Sequence, residues 1–207
     1  MRHYNIHKQD DYREICALIE HQSTCLLQIL SKTNEIQTGL FNPLHLDKHI
    51  YFHLHRGDEQ IESIRWSGKC RLIFQDVLAN FPSYWADDAY AGAATTHYRF
   101  AELDCKARIV DDAEEQSYFL GKLMKRYQQE GQYEPISHES SIYKDKLKAI
   151  LLLECKIVGY KGKWKLGQNR TVDERISHAG KFRERNQGHD RRCADEIEKW
   201  VKAHPER

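Results

Sequence analysis

The sequence predicts a mainly β protein of the α+β class, built on an antiparallel meander or barrel with helices at its periphery. Three observations lead there. Apolar runs of strand length recur between Thr24 and Tyr160, and most of their connections are too short for the crossover helix that a parallel sheet requires. One long segment among them, beginning at Asp111, has helical length and an acidic start. Beyond Thr171 the chain is highly charged, of helical composition, and carries only a weak apolar stripe, which marks a helical C-terminal extension.

The elements follow in order. Asp11 to Glu20 has apolar residues at 12, 15, 16, 18 and 19, the spacing of an amphipathic helix with acidic residues at its start. Thr24–Leu30 and Ile36–Phe41 flank the polar turn Lys32-Thr33-Asn34-Glu35, and so form a hairpin. His49–His55 alternates, with Ile50, Phe52 and Leu54 on one face and His49, Tyr51, His53 and His55 on the other. Arg56-Gly57-Asp58 turns the chain, and Asp58 caps a short helix through Ile64. Lys69–Gln75 is a further strand. Asn80–Ala94, with Pro82 and four aromatic residues, is a long ordered loop, and such loops often carry function.

His97–Val110 is a long strand. The helix from Asp111 runs to about Gln129, with Tyr118, Phe119, Leu123, Met124 and Tyr127 on its apolar side. Tyr143–Ala149 is ambiguous, and Ile150–Tyr160 is the last core strand, after which Lys161–Arg170 makes a basic turn. In the tail Gly188 separates two helical pieces whose apolar residues are Ile176, Phe182, Ile197, Trp200 and Val201.

Composition narrows the function. The 207 residues suit one domain, and 32 basic against 31 acidic residues give a balance unlike that of a general nucleic-acid binder. The six cysteines contain no C-x-x-C pair and mostly sit in apolar runs, where they act as small hydrophobes. The N-terminus has no apolar signal-peptide core, and no run approaches a membrane span, so a reduced cytoplasmic protein is expected. His49, His53 and His55 share a strand face, but residues two apart stand about 7 Å apart, and hydrogen-bonded histidines explain them better than a metal or haem. No nucleophile elbow or phosphate loop is present. The basic stretch KFRERNQGHDRR reads as a solvated helix face rather than a DNA-binding element.

The segment Lys161-Gly162-Lys163-Trp164-Lys165-Leu166-Gly167-Gln168-Asn169-Arg170 holds the most unusual chemistry. A solvated turn needs no Trp, and a core strand needs no three lysines. Alternation points Lys163 and Lys165 one way and Trp164 the other. By itself this describes a basic turn whose Trp completes a packed interface.

Together with Asp173-Glu174-Arg175, the run GKWKLGQNR is similar to the signature of the PaiB-type FMN-binding negative transcriptional regulators. Pro82-Ser83-Tyr84-Trp85 resembles the P-S-W-Y run of that group. Ile50-Tyr51-Phe52-His53, Gly57, Tyr98-Arg99 and the helix start Asp111-Asp112-Ala113-Glu114-Glu115-Gln116 are similar to the nitroimidazole-resistance branch of the same superfamily. Over roughly residues 24–175 the chain thus resembles the flavin-binding split-barrel proteins related to pyridoxamine-phosphate oxidase.

The resemblance implies an antiparallel split β-barrel over residues 1–170, with residues 171–207 as its helical extension. It implies a homodimer with FMN in clefts shared between subunits, and oxidoreductase chemistry on a small substrate. FMN needs cations or helix N-terminal amides for its phosphate, and aromatic area with fixed donors for its ring. Lys163, Lys165 and Arg170 supply charge, Trp164 contact, and Gln168 and Asn169 hydrogen bonds. His53, Arg56, Gln75, Tyr98 and Arg99 form a second tier. Where relatives offer a phosphate-binding Lys, this chain has Gly57-Asp58-Glu59-Gln60, whose two carboxylates repel a phosphate. That departure motivates the alternative, a non-enzymatic ligand-binding or regulatory module on the same scaffold.

Overall fold

The computed structural model describes residues 5–206. The helices are α1 (Tyr12–His21), α2 (Gln60–Ser67), α3 (Ala113–Tyr127), α4 (Lys144–Leu147), α5 (Val172–Arg185) and α6 (Asp190–Ala203). The strands are β1 (Lys8–Gln9), β2 (Cys25–Leu30), β3 (Ile36–Phe41), β4 (Leu44–Leu46), β5 (His49–His55), β6 (Lys69–Phe81), β7 (Thr95–Val110) and β8 (Ile150–Lys165). Their order in the sheet is β3-β2-β6-β7-β8-β5-β4, with β1 also on β8. β2 pairs antiparallel with β3 and β6, β5 with β4 and β8, and β1 with β8. The antiparallel α+β architecture expected from the short connections is the one observed.

Two compact units emerge. The second comprises Ile19–Phe74 and Glu102–Tyr160. Its β5 is set by alternation as expected: Ile50, Phe52 and Leu54 are buried, whereas His53 and His55 are exposed. Tyr51, on the face expected to be polar, is buried instead, because α3 covers it and Phe119 stacks on its ring at 3.9 Å. Leu44, Val110, Leu120, Leu123, Leu147 and Leu152 complete that cluster. Asp112 caps α3 by accepting from the Glu115 amide at 2.8 Å. The buried face of α3 is Gln116, Ser117, Leu120 and Leu123, while Tyr118, expected inside, stands exposed. Asp58 does not cap α2; its carboxylate accepts from the His55 amide at 2.8 Å, and α2 begins at Gln60 and runs to Ser67. The thiols of Cys70 and Cys155 lie 3.4 Å apart, and both are buried.

The first unit comprises the chain through Leu18, Gln75–Ala101 and the chain from Lys161. Here β6 continues to Phe81 and stops at Pro82, which has no amide for a ladder. The expected loop is thus shorter, and it contains two single 3₁₀ turns, Ser83–Trp85 and Ala91–Ala93. The larger correction concerns Lys161–Lys165. This segment is not a turn but the end of β8, because β1 pairs with it: Lys8 faces Lys163 and Gln9 faces Gly162. A Cβ at Gly162 would lie 2.6 Å from Gln9 O, so only glycine permits that approach. The turn is confined to Leu166–Arg170.

Thr171 then starts α5 with a reciprocal capping box to Glu174. Phe182, Ala179, Cys193, Ala194 and Ile197 are buried, and Arg183 pairs with Asp195 at 2.6 Å and with Glu198, tying α5 to α6. Ile176, expected in the apolar stripe, is exposed, and the buried face of α5 is Arg175, His178, Ala179 and Phe182.

Candidate functional site: a cationic cavity beside the Leu166–Arg170 turn

Strand alternation divides the end of β8. Trp164 turns inward, is 1% exposed, and borders a small cavity of about 240 Å³ together with Leu166, Trp200 and His204. Lys163 and Lys165 point the other way. Lys163 Nζ lies 5.7 Å from the Tyr98 ring centroid, over a groove of about 370 Å³ that also takes in Gln75, Val77 and Phe100. Lys165 Nζ donates to the Thr95 hydroxyl and enters a larger cavity of about 560 Å³. That volume lies within the range of small-molecule sites.

The larger cavity draws on four segments of the first unit. Lys165, Gly167, Asn169 and Arg170 come from β8 and its turn, Phe81 and Tyr90 from β6 and the loop after it, Thr95 and His97 from β7, and His178 from α5, with His7 beside them. Gly167, at φ +80°, makes the turn possible and leaves room at the cavity wall. Gln168 is spent on the turn itself. Its amide nitrogen donates to Trp164 O at 2.6 Å, and its Oε1 accepts from the Leu166 amide and lies 2.8 Å from His7 Nδ1. Arg170 stands 5.8 Å from the Phe81 ring centroid and 3.6 Å from Glu174.

Of the residues that sequence reasoning singled out, the structure brings Lys165, Asn169 and Arg170 to this cavity, and Gln75, Tyr98, Arg99 and Lys163 to the groove. The Arg99 guanidinium is held by Asp76, at 2.6 and 3.0 Å, and by Glu196 at 2.6 Å. His53 and Arg56 belong to the second unit, where His53 is exposed and Arg56 pairs with Asp111. His7 and His178 were not singled out, and His97 only as a strand-end residue. They come from segments far apart in sequence, so no spacing joins them.

The cavity is electropositive. Asp87, the one lining carboxylate among the described residues, accepts from the Ala89 and Tyr90 amides at 2.9 and 2.7 Å, which hold its pKa down. Burial, then the neighbouring His178, Lys165 and His7, push His97 from 6.5 down to about 4. His178 is lowered by burial and then by Arg170 and Lys181, against a smaller raising effect of Glu174. His7 is lowered by burial, which outweighs its bond to Gln168, and by Lys163 and Lys165. His97 Nδ1 rests 3.5 Å from the Cys193 thiol, and the His178 ring packs 4.5 Å from that of Phe81.

A pH dependence of stability follows. Below about 6.5 the unfolded chain protonates His97, whereas the folded chain keeps it neutral down to about 4. Stability is therefore full above 6.5 and falls as pH drops through that window, by about 2 kcal/mol at pH 5 from this group alone. Melting curves at pH 7.5 and pH 5 should show the loss, and His97→Gln should flatten it. Equal slopes in both proteins would remove His97 as the cause.

Cations, side-chain donors and flat aromatic surface in one cavity match the needs of a phosphate-bearing, ring-containing cofactor. Residues 1–159 match the family described as "Putative FMN-binding domain", and the chain belongs to that family. FMN is therefore its cofactor. The chain is similar to the structure of the FAD and haem binding protein from Mycobacterium smegmatis, at 14% identity, TM-score 0.63, over 82% of this chain and 78% of that one. It is similar to the flavocytochrome Anf3 from Azotobacter vinelandii, at 10% identity, TM-score 0.65, over 78% and 71%. A "putative 5-nitroimidazole antibiotic resistance protein" from Bacteroides thetaiotaomicron aligns at 15% identity, TM-score 0.61, over 75% and 85%. These likenesses show the fold, that of the split-barrel proteins. No curated protein matches the chain by sequence.

Proposed function

We propose that the chain is an FMN-dependent oxidoreductase acting on a small substrate, and that the phosphate of FMN is received by the cationic cavity. The cavity itself carries the reading: Lys165, Arg170 and Asn169 converge there, and the carboxylate of Asp87 at its wall is engaged by backbone amides. FMN supplies the two-electron chemistry when bound. Lys165, fixed by Thr95, and Arg170 offer the phosphate charge-assisted hydrogen bonds. Asn169 adds an amide donor, and Phe81 and Tyr90 present aromatic surface. His97 and His178, kept neutral by burial, offer hydrogen bonds to a ligand without adding charge at neutral pH.

The resemblance to the PaiB-type group extends the proposal. The protein is a cytoplasmic homodimer whose site is shared between subunits, with residues 1–170 as the flavin domain and 171–207 as its helical extension. Among the described residues no helix is long and apolar enough to cross a membrane.

The visible spectrum of the purified protein tests the proposal. Flavin absorption that is released by acid precipitation, and bleached by a chemical reductant and restored by air, is the expected result. A colourless protein that takes up no added FMN would leave the non-enzymatic module as the reading. That alternative is favoured by one observation: Asp58 and Glu59 stand in the turn where the resemblance implies a lysine, and Asp58 is engaged with the backbone of that turn.

A further inference from the structure

Arg175 is 1% exposed, and its Nε, Nη1 and Nη2 atoms are all buried without a hydrogen-bond partner. A guanidinium carries five donors and keeps its charge at any physiological pH. Other arginines of this unit are paired: Arg99 with Asp76 and Glu196, and Arg185 with Asp190. Burial alone pulls the Arg175 pKa down, and no carboxylate opposes it. An isolated buried charge is among the costliest features a fold can hold.

Its position gives the cost a purpose. A Cβ at Gly167 would lie 3.6 Å from Arg175 Cγ and 3.6 Å from His97 Nε2. Gly167 and His97 both line the cationic cavity. The stem of Arg175 therefore packs directly behind the cavity wall, on the α5 face that also presents His178. Behind that wall the guanidinium is shut off from bulk water, so a charge bound in the cavity would meet less screening across it than in solution.

We infer that Arg175 is a built-in uncompensated charge of an anion site, and that its counter-charge is the phosphate group of a bound ligand rather than any of the described side chains. The inference rests on the reading of this cavity as a phosphate site, though not on the ligand being a flavin. The ligand-free protein holds the charge at a cost in stability, and binding of the anion relieves it. Stability and affinity therefore oppose each other at this one residue, which a merely structural arginine would not show.

Arg175→Met and Arg175→Lys test this. Melting temperatures are measured without ligand and with inorganic phosphate, and dissociation constants are measured for FMN and for riboflavin, which lacks the phosphate. Arg175→Met should melt at or above the wild-type temperature without ligand. It should bind FMN roughly 10- to 100-fold more weakly through lost charge attraction, lose the stabilisation by phosphate, and bind riboflavin unchanged. Arg175→Lys should keep most of the affinity for FMN. Equal FMN and phosphate binding by the wild type and Arg175→Met would overturn the inference. So would a lower melting temperature, or failure of Arg175→Met to fold while Arg175→Lys folds, since the arginine would then be structural. A wild type stabilised by phosphate but indifferent to FMN would leave the anion site standing and remove the flavin. A wild type indifferent to both would remove the site itself.

Discussion

Replacing Lys165 and Arg170 together by alanine is expected to raise the dissociation constant for FMN by roughly 100- to 10,000-fold. Each is worth about 1.5–3 kcal/mol when it hydrogen-bonds a charged group, and the two act on the same dianion. The fold should survive the change. Arg170 makes a 3.6 Å contact to the exposed Glu174 and stands over the Phe81 ring, and Lys165 makes a bond to Thr95, none of them buried ion pairs. Quenching of flavin fluorescence on titration gives the affinity, and a melting curve gives the control. Unchanged FMN affinity in the double variant would take the phosphate out of this cavity. A large fall in melting temperature would show instead that the two cations hold the turn.

Asp76→Ala is expected to be among the most destabilising single changes in the chain, at about 3–5 kcal/mol. Asp76 is 4% exposed, and its carboxylate serves two arginines at once. Oδ2 accepts from Arg99 Nε at 3.0 Å and Nη2 at 2.6 Å, and Oδ1 accepts from Arg192. Arg99 reaches on to Glu196, so the network joins β6 and β7 to α6. Removing the acid strips the buried Arg99 guanidinium of a two-bond partner and leaves it with Glu196, and a buried charge that loses its partner carries much of its desolvation cost. Denaturant unfolding of the variant measures the effect. A loss below 1 kcal/mol would mean that water already reaches the network.

Much of the fold is legible in the sequence because it is written locally. Helix α1 follows from the apolar spacing after Asp11, β5 from alternation, the β2–β3 hairpin from two apolar runs about one polar turn, and the separation of α5 from α6 from Gly188. What is hidden depends on contacts between distant segments. Lys161–Lys165 looks like a turn because lysine and glycine dominate it; only the two-residue strand β1, some 150 positions earlier, makes it part of β8. The buried face of α5 is hidden for a similar reason. Ile176 is the apolar choice by composition, yet Arg175 and His178 are inside, because that face borders a polar cavity rather than an oily core. The candidate site is legible to the same degree. The run from Lys163 to Arg170 announces its chemistry, but Lys163 and Lys165, on one face of β8, reach different hollows.

Five of the six cysteines are buried and none is disulfide-bonded, while Cys16 is partly accessible. Each buried thiol is thus sealed from reagents until its surroundings open. The rate at which a maleimide or an aromatic disulfide consumes these five reports how often the native chain breathes, with Cys16 as the fast internal reference. Cys193 sits on α6 beside His97, and Cys70 and Cys155 sit together in the second unit. Their separate labelling rates would tell whether the cavity region loosens before the remainder of the protein.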